Sequence, residues 1–205
     1  MQKSASLGHE GAVLVLQQAA SDPRAVPASR ISFERLYDDH VDFVWRSARR
    51  LGVGDEAADD VVQQVFMVVH RRLAAFEGRS SYKTWLFAIL IHVVRDHRRS
   101  VKRKSPHVTS EAVDLELLVD PSLDPEEALE RAQASRFIDR VLDMLESEKR
   151  IIFVMAELEE MSAAEIGEAT GLDAPAVYSR LRAARIDFER AAASLRKRID
   201  AGRSR

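Results

Sequence analysis

The sequence predicts an all-α fold, two small helical domains joined by a flexible acidic linker, and three observations lead there. Apolar residues recur at three- and four-residue intervals in every strongly patterned stretch, and no stretch alternates as a half-buried strand would. The period also fails in one interior segment, residues 105–130, where prolines collect among acidic residues. With 205 residues, 46% of them hydrophobic, the chain has the composition of a folded protein and room for one ordinary domain or two small ones.

Residues 1–30 contain glycine, two prolines and a short apolar run, Val13 to Leu16, without a sustained period. They are expected to be mostly disordered, and a short helix over Ala12 to Ala20 would carry no chemistry. The pattern sharpens at Phe33, with Leu36, Tyr37, His40, Val41, Val44, Trp45 and Ala48 on one stripe of a helix that Gly52 and Gly54 close. His40 on that stripe reads as a core-edge histidine rather than a ligand. Asp55 is placed to cap a second helix running to Phe76, with Val62, Val65, Phe66, Val69 and Leu73 inward and Asp59, Asp60, Gln63 and Gln64 on the opposite side. After a loop at Gly78 to Ser81, a third helix from Thr84 to about Arg99 is expected to bury Trp85, Leu86, Ile89, Leu90, Val93 and Val94. These three make the first domain, 31–104.

Beyond the linker, helix resumes near Glu126, with Phe137, Ile138, Val141, Leu142 and Leu145 inward, and again from Glu146 to about Leu158. The second domain, 131–205, then reaches its most informative stretch. Ser162 followed by Glu165 is a capping box, Gly171 supplies a left-handed stop, and Asp173 with Pro175 opens the next helix about three residues later. That spacing is a helix-turn-helix. Ile166, Leu172, Val177 and Leu181 point inward, leaving Tyr178, Ser179, Arg180, Arg182 and Arg185 on or near the outer face. Arginine forks onto guanine edges or phosphates, so the face suits DNA; an ordinary helix pair with a solvated basic face is the plain alternative.

Charge is unevenly spread although the net charge is only −2. From Arg71 to Lys104 there are ten basic residues against two acidic, and from Ser105 to Glu130 eight acidic residues and no Lys or Arg. Around the start of the third helix, rings and cations interleave: Phe76, Arg79, Tyr82, Lys83 and Trp85. Unpaired bases stack on rings while their phosphates meet cations, which suits single-stranded nucleic acid; the alternative is that Phe76 and Trp85 are core. The absence of cysteine removes disulfides, a thiolate nucleophile and cysteine-held metal. No nucleophile with a base, metal triad or phosphate loop is present, so neither enzymatic activity nor a cofactor is expected, and His92 with Asp96 reads as a surface pair. With no membrane-length apolar run or secretory pattern, the expected location is the cytoplasm.

With both halves in view, the chain resembles the extracytoplasmic-function group of bacterial sigma factors, the promoter-specificity subunits of RNA polymerase. Asp60-Val-Val-Gln63-Gln64-Val-Phe66 is similar to that family's D-x-x-Q-E-x-F segment, and Phe76 to Leu86 to the loop and helix start that handle melted promoter. In the second half Glu165 to Gly171 and Val177 to Arg185 resemble E-I-x-E-x-x-G and V-x-S-R-L-x-x-A-R. The resemblance implies that Asp60, Gln63 and Gln64 dock on core RNA polymerase. It puts Arg79, Ser80, Tyr82, Trp85, His92 and Arg95 near the unpaired minus-ten element of promoter DNA. Tyr178, Ser179, Arg180, Arg182, Ala183 and Arg185 would lie on or beside the minus-thirty-five element, and an anti-sigma factor is an expected partner.

Several positions depart from the family pattern: Gln64 stands for Glu, His92 for Asn, Glu146 for Pro and Gly167 for Ala, while Tyr178 and Ala183 stand where basic residues are common. A one-component regulator binding duplex DNA leaves the Asp60 to Phe66 segment without a role, and a sigma mimic that avoids DNA leaves the basic aromatic stretch without one. The final expectation is that the two halves fold separately and cooperate only through the polymerase, with the acidic linker extended or drawn to the basic surfaces around Arg98 and Arg182.

Overall fold

The computed structural model describes residues 31–104 and 125–203, so the expectations for residues 1–30 and 105–124 lie outside the described residues. The elements are α1 (Phe33–Arg50), α2 (Asp55–Arg72), a 3-10 turn (Leu73–Ala75), α3 (Tyr82–Lys104), α4 (Pro125–Asp143), α5 (Ser147–Phe153), a π turn (Val154–Leu158), α6 (Ala163–Thr170) and α7 (Ala174–Arg203). No strand occurs among the described residues.

Local chemistry sets most of these boundaries. Ser32 accepts from the amide of Arg35 at 3.3 Å and starts α1. Asp55 does not cap α2 as expected. Gly54 is the cap residue, and the Asp55 carboxylate is held instead by the buried Arg49 guanidinium at 2.6 Å. Glu146 caps α5, its two oxygens accepting from the amides of Glu148 and Lys149, which accounts for an acid at a position where a proline was the familiar choice. The expected linker is shorter than 105–130, because α4 already begins at Pro125. Proline suits a first helical turn, and Glu126 and Glu127 there meet the positive end of the helix dipole.

The first three helices enclose Leu36, Val44, Val61, Val65, Phe66, Phe87, Leu90 and Val94. In the second half, α5, α6 and α7 gather Ile151, Ile152, Met155, Ile166, Val177, Leu181 and Ala184, with α4 laid along α7. The two sets are not separate. Helix α6 packs directly on α3, and the buried apolar residues form one continuous cluster through both halves. Separate halves that meet only through a third body are therefore not what the fold contains. The reason is visible on α3, where Thr84 and every residue from Leu86 to Ile91 are buried. A helix that is apolar on nearly all sides needs cover on more than one side.

Gly52 sits at φ 88° where α1 ends, under the guanidinium groups of Arg150 and Arg98. Gly167 is a different case. By propensity, glycine inside a helix costs roughly 1 kcal/mol relative to alanine, so the sequence favours replacing it. A Cβ there would stand 2.7 Å from the backbone carbonyl oxygen of Leu172 in the turn, and overpacking of this kind typically costs ~1–3 kcal/mol. Gly167→Ala is expected to leave the melting temperature unchanged or lower it. A rise of about 2–4 °C, the mark of a 1 kcal/mol gain in a chain of this size, would show instead that the turn yields.

Candidate nucleic-acid interface

The helix-turn-helix forms as its caps require. Ser162 accepts from the Glu165 amide while the Glu165 carboxylate accepts from the Ser162 amide, and Gly171 ends α6 at φ 75°. Asp173 Oδ1 accepts from the Ala176 amide at 2.9 Å and opens α7. Ile166, Val177 and Leu181 are buried and Leu172 is half-buried, so the register of the outer face is fixed. On that face Tyr178 is 63% exposed, and Ser179, Arg180 and Arg182 are exposed too. Neither Arg180 nor Arg182 is held by a hydrogen bond or ion pair among the described residues, so both guanidinium groups stand ready for a polyanion. Ala183 is half-buried beside them, and Arg185 is paired with Glu157 at 2.6 Å.

The candidates on the first half divide into two groups. Phe76, Tyr82 and Trp85 form one aromatic cluster, with Phe76 stacked on Tyr82 at 4.7 Å between centroids and tilted on Trp85 at 4.8 Å. All three are half-buried, so the choice between core and base-stacking surface resolves into rings that support one another and keep an open edge. Tyr82, Trp85 and His92 share one stripe of α3, at intervals of three and seven residues. Ser80 and Arg79 precede that stripe in the loop, with Arg79 paired to Glu77.

Arg95 belongs to the neighbouring stripe, with Thr84 and Arg98, and that stripe faces the second half of the chain. Arg95 donates twice to Glu148, from Nη2 at 2.5 Å and from Nε at 3.2 Å. Thr84 Oγ1 donates to Glu165 at 3.2 Å, and Arg98 donates to Ser147 Oγ and to the carbonyl of Leu51. Lys83 reaches Glu159, and the buried Arg150 donates to the carbonyls of Arg50 and Arg49 at the end of α1 while pairing with Asp143. Sequence reasoning missed this set of contacts. Its only signal was the surplus of apolar and small residues at Ala88 and Ile91, which stand between Thr84 and Arg95 on the covered stripe.

Asp60, Gln63 and Gln64 are all exposed on α2, with no hydrogen bond or ion pair to a described residue. Gln63 also borders an apolar groove of about 580 Å³ between α1 and α2, lined by Phe33, Tyr37, Trp45, Phe66 and Met67. No group of acidic and histidine side chains that could hold a metal occurs among the described residues, and no described helix is long and apolar enough to cross a membrane.

A basic helix-turn-helix packed on a bundle with a cationic, aromatic helix defines a two-part nucleic-acid-binding protein. The comparisons with known proteins give the class a family. The family model described as Sigma-70 region 2 matches residues 36–104, and that described as Sigma-70, region 4 matches residues 137–187. The chain is 30% identical over 165 residues to the RNA polymerase sigma factor NccH of Alcaligenes xylosoxydans xylosoxydans, covering 79% of this chain and 87% of that one. It is 28% identical over 160 residues to the RNA polymerase sigma factor YlaC of Bacillus subtilis, covering 77% and 88%. Against the ECF RNA polymerase sigma factor SigE of Mycolicibacterium smegmatis it is 28% identical over 167 residues, or 82% and 62% of the two chains. Among solved structures, the sigma factor RpoE with the anti-sigma factor NepR from Bartonella quintana aligns at TM-score 0.59 and 22% identity over 76% of this chain and 95% of that one, a likeness of fold alone. CnrH in complex with the cytosolic domain of CnrY aligns at 0.56 and 23% over 89% and 97%. The chain belongs to the extracytoplasmic-function group of RNA polymerase sigma factors, and its function is to direct promoter-specific initiation of transcription.

The environment of His92 gives this surface a pH dependence. Burial first, and then the charge of Arg95, lower its pKa from the ordinary imidazole value, so the ring is neutral at neutral pH. Because the folded value lies below the unfolded one, the associated stability is fully present above about pH 6.5 and is lost as pH falls through the lowered value. An NMR titration should find the His92 midpoint below that of an exposed histidine. His92→Gln should remove part of the acid-side loss of stability, and an unshifted midpoint would contradict this account.

Proposed function

We propose a division of labour over the sigma factor's surfaces. Exposed and unpaired on α2, Asp60, Gln63 and Gln64 dock on core RNA polymerase. Tyr82, Trp85 and His92, with Arg79 and Ser80 before them and Arg95 beside them, receive the unpaired minus-ten strand. Tyr178, Ser179, Arg180, Arg182, Ala183 and Arg185 lie on or beside the minus-thirty-five duplex. The observation that carries this reading is the pairing of two unlike surfaces on one chain, one suited to duplex and one to stacked, unpaired bases, beside a polar helix face with no partner among the described residues.

The protein works by recognition rather than bond-making. The second half positions itself on duplex by phosphate and base-edge contacts, while the bundle binds only bases freed from pairing and so favours the melted state. A protein acting on the chromosome of a bacterium acts in the cytoplasm, and an anti-sigma factor is the natural inhibitor. The partner of one structural neighbour, the anti-sigma factor NepR, supports that expectation. A one-component regulator is the weaker reading, since it gives the α2 face nothing to do.

Two substitutions test the assignment. Asp60→Lys reverses charge on an exposed face and should weaken binding to core polymerase while leaving the helical circular dichroism intact; unchanged affinity with an intact fold sinks the docking role. Arg182→Ala should lower transcription more from a matched upstream element than from a scrambled one, since a good base contact is worth ~1–3 kcal/mol of discrimination. An equal loss on both would move Arg182 to a phosphate contact.

A further inference from the structure

The ties between the halves are unequal, and one of them has the form of an occupied binding site. Glu159 follows the π turn, and its side chain is only 8% exposed. Every side-chain donor that it meets among the described residues belongs to the other half. Arg50 Nη1 lies 2.8 Å and Ser47 Oγ 3.4 Å from one carboxylate oxygen, and Lys83 Nζ lies 3.3 Å from the other and 2.8 Å from the Glu159 carbonyl. Within its own half Glu159 is held through its backbone, the amide donating to the Val154 carbonyl.

The three donors stand on the last turn of α1 and the first turn of α3. Those helices pack on one another within the bundle, and Lys83 Nζ also lies 5.2 Å from the centroid of the Phe43 ring. The helix ends that carry the three donors are thus brought together within the first half. A hydroxyl, a guanidinium and an ammonium around a singly charged, two-oxygen acceptor also satisfy the two free oxygens of a phosphodiester.

We propose that Ser47, Arg50 and Lys83 form a phosphate site, filled by Glu159 when the halves are closed and by a backbone phosphate of the unpaired promoter strand when they part. The proposal rests on the reading of α3 as the surface that handles melted DNA. It makes the carboxylates of the second half competitors of DNA: Glu159 occupies Lys83 and Arg50, Glu148 occupies Arg95, and Glu165 occupies Thr84. Opening and strand capture are then one equilibrium, and a ligand that binds only the open form shifts it by its preference for that form. In the closed chain the carboxylates on α5, α6 and the segment between them keep an unpaired strand off α3, while the outer face of α7 stays open.

The test uses the full chain and a short fluorescent single-stranded oligonucleotide. Glu159→Gln keeps the shape and removes the charge; Glu159→Ala removes both, and circular dichroism with thermal melting reports whether each folds. An open state populated to ~10% or less lowers apparent affinity by that fraction, so a folded variant at Glu159 should bind the oligonucleotide at least about tenfold more tightly than the parent. Adding Arg50→Gln or Lys83→Gln to Glu159→Gln should abolish that gain and reduce the salt slope by about one, whereas adding Arg71→Gln should not abolish it. The chain has no cysteine, so Asp38→Cys with Glu189→Cys places a label pair across the halves. Their separation should lengthen in Glu159→Gln and in the parent once oligonucleotide is bound.

Unchanged affinity in both folded Glu159 variants overturns the proposal. So does a gain that survives loss of Arg50 and Lys83, or a gain without lengthening. Failure of the underlying reading looks different: Tyr82→Ala and Trp85→Ala would then leave promoter melting by the polymerase complex unaltered whatever stands at position 159, and the proposal would fall with it.

Discussion

Helix α3 has to be covered on two sides, and the arrangement of the rest of the chain follows from that constraint. Its residues from Leu86 to Ile91 are all buried, with Thr84 just before them, and three helices of one small bundle cannot enclose such a run alone. Helices α1 and α2 take one side. The other side is taken by α6, the first helix of the helix-turn-helix, so the element that positions α7, proposed to read duplex, also covers α3, proposed to take unpaired bases.

Polar contacts fix the register of this packing. The end of α1 leaves carbonyls without helical partners, and those of Arg49, Arg50 and Leu51 accept from Arg150 and Arg98, side chains of α5 and α3. Burial lowers the pKa of both guanidinium groups, with their neighbouring positive charges adding to the effect, and Asp143 and Glu148 work against it. Such ties differ in weight. An exposed pair such as Arg185 with Glu157 contributes ~0–1 kcal/mol, whereas removing one partner from a buried pair typically costs about 3–5 kcal/mol. The partly exposed Arg50 and Lys83 place the Glu159 contacts between those limits. The closed form is therefore held by apolar cover on α3 together with polar contacts that select one orientation.

That closed form gives the two surfaces proposed for DNA different status. The outer face of α7 keeps Tyr178, Arg180 and Arg182 in solvent, ready for duplex. The surface on α3 is divided lengthwise: the aromatic stripe of Tyr82 and Trp85 is partly open, and the stripe bearing Arg95 is neutralised by Glu148. On the proposed division of labour, the surface left open is the one for duplex and the surface partly covered is the one whose ligand exists only after melting.

Much of this was legible in the chain itself. Helix positions, the capping box at Ser162 and Glu165, the left-handed Gly171 and the exposed polar face of α2 all follow from local pattern, since a helix period and a cap depend on residues within a few positions of one another. The resemblance to sigma factors was likewise carried by short segments, Asp60 to Phe66 and Val177 to Arg185. What tertiary structure decided was everything that joins residues far apart: the covering of Ala88 and Ile91, the capture of Arg95 by Glu148, the grouping of Ser47, Arg50 and Lys83 around Glu159, and the backbone oxygen that excludes a side chain at Gly167. The sequence by itself determined which faces each helix would have. Which faces would meet was settled only when α3, apolar on more sides than one bundle could cover, drew the two halves together.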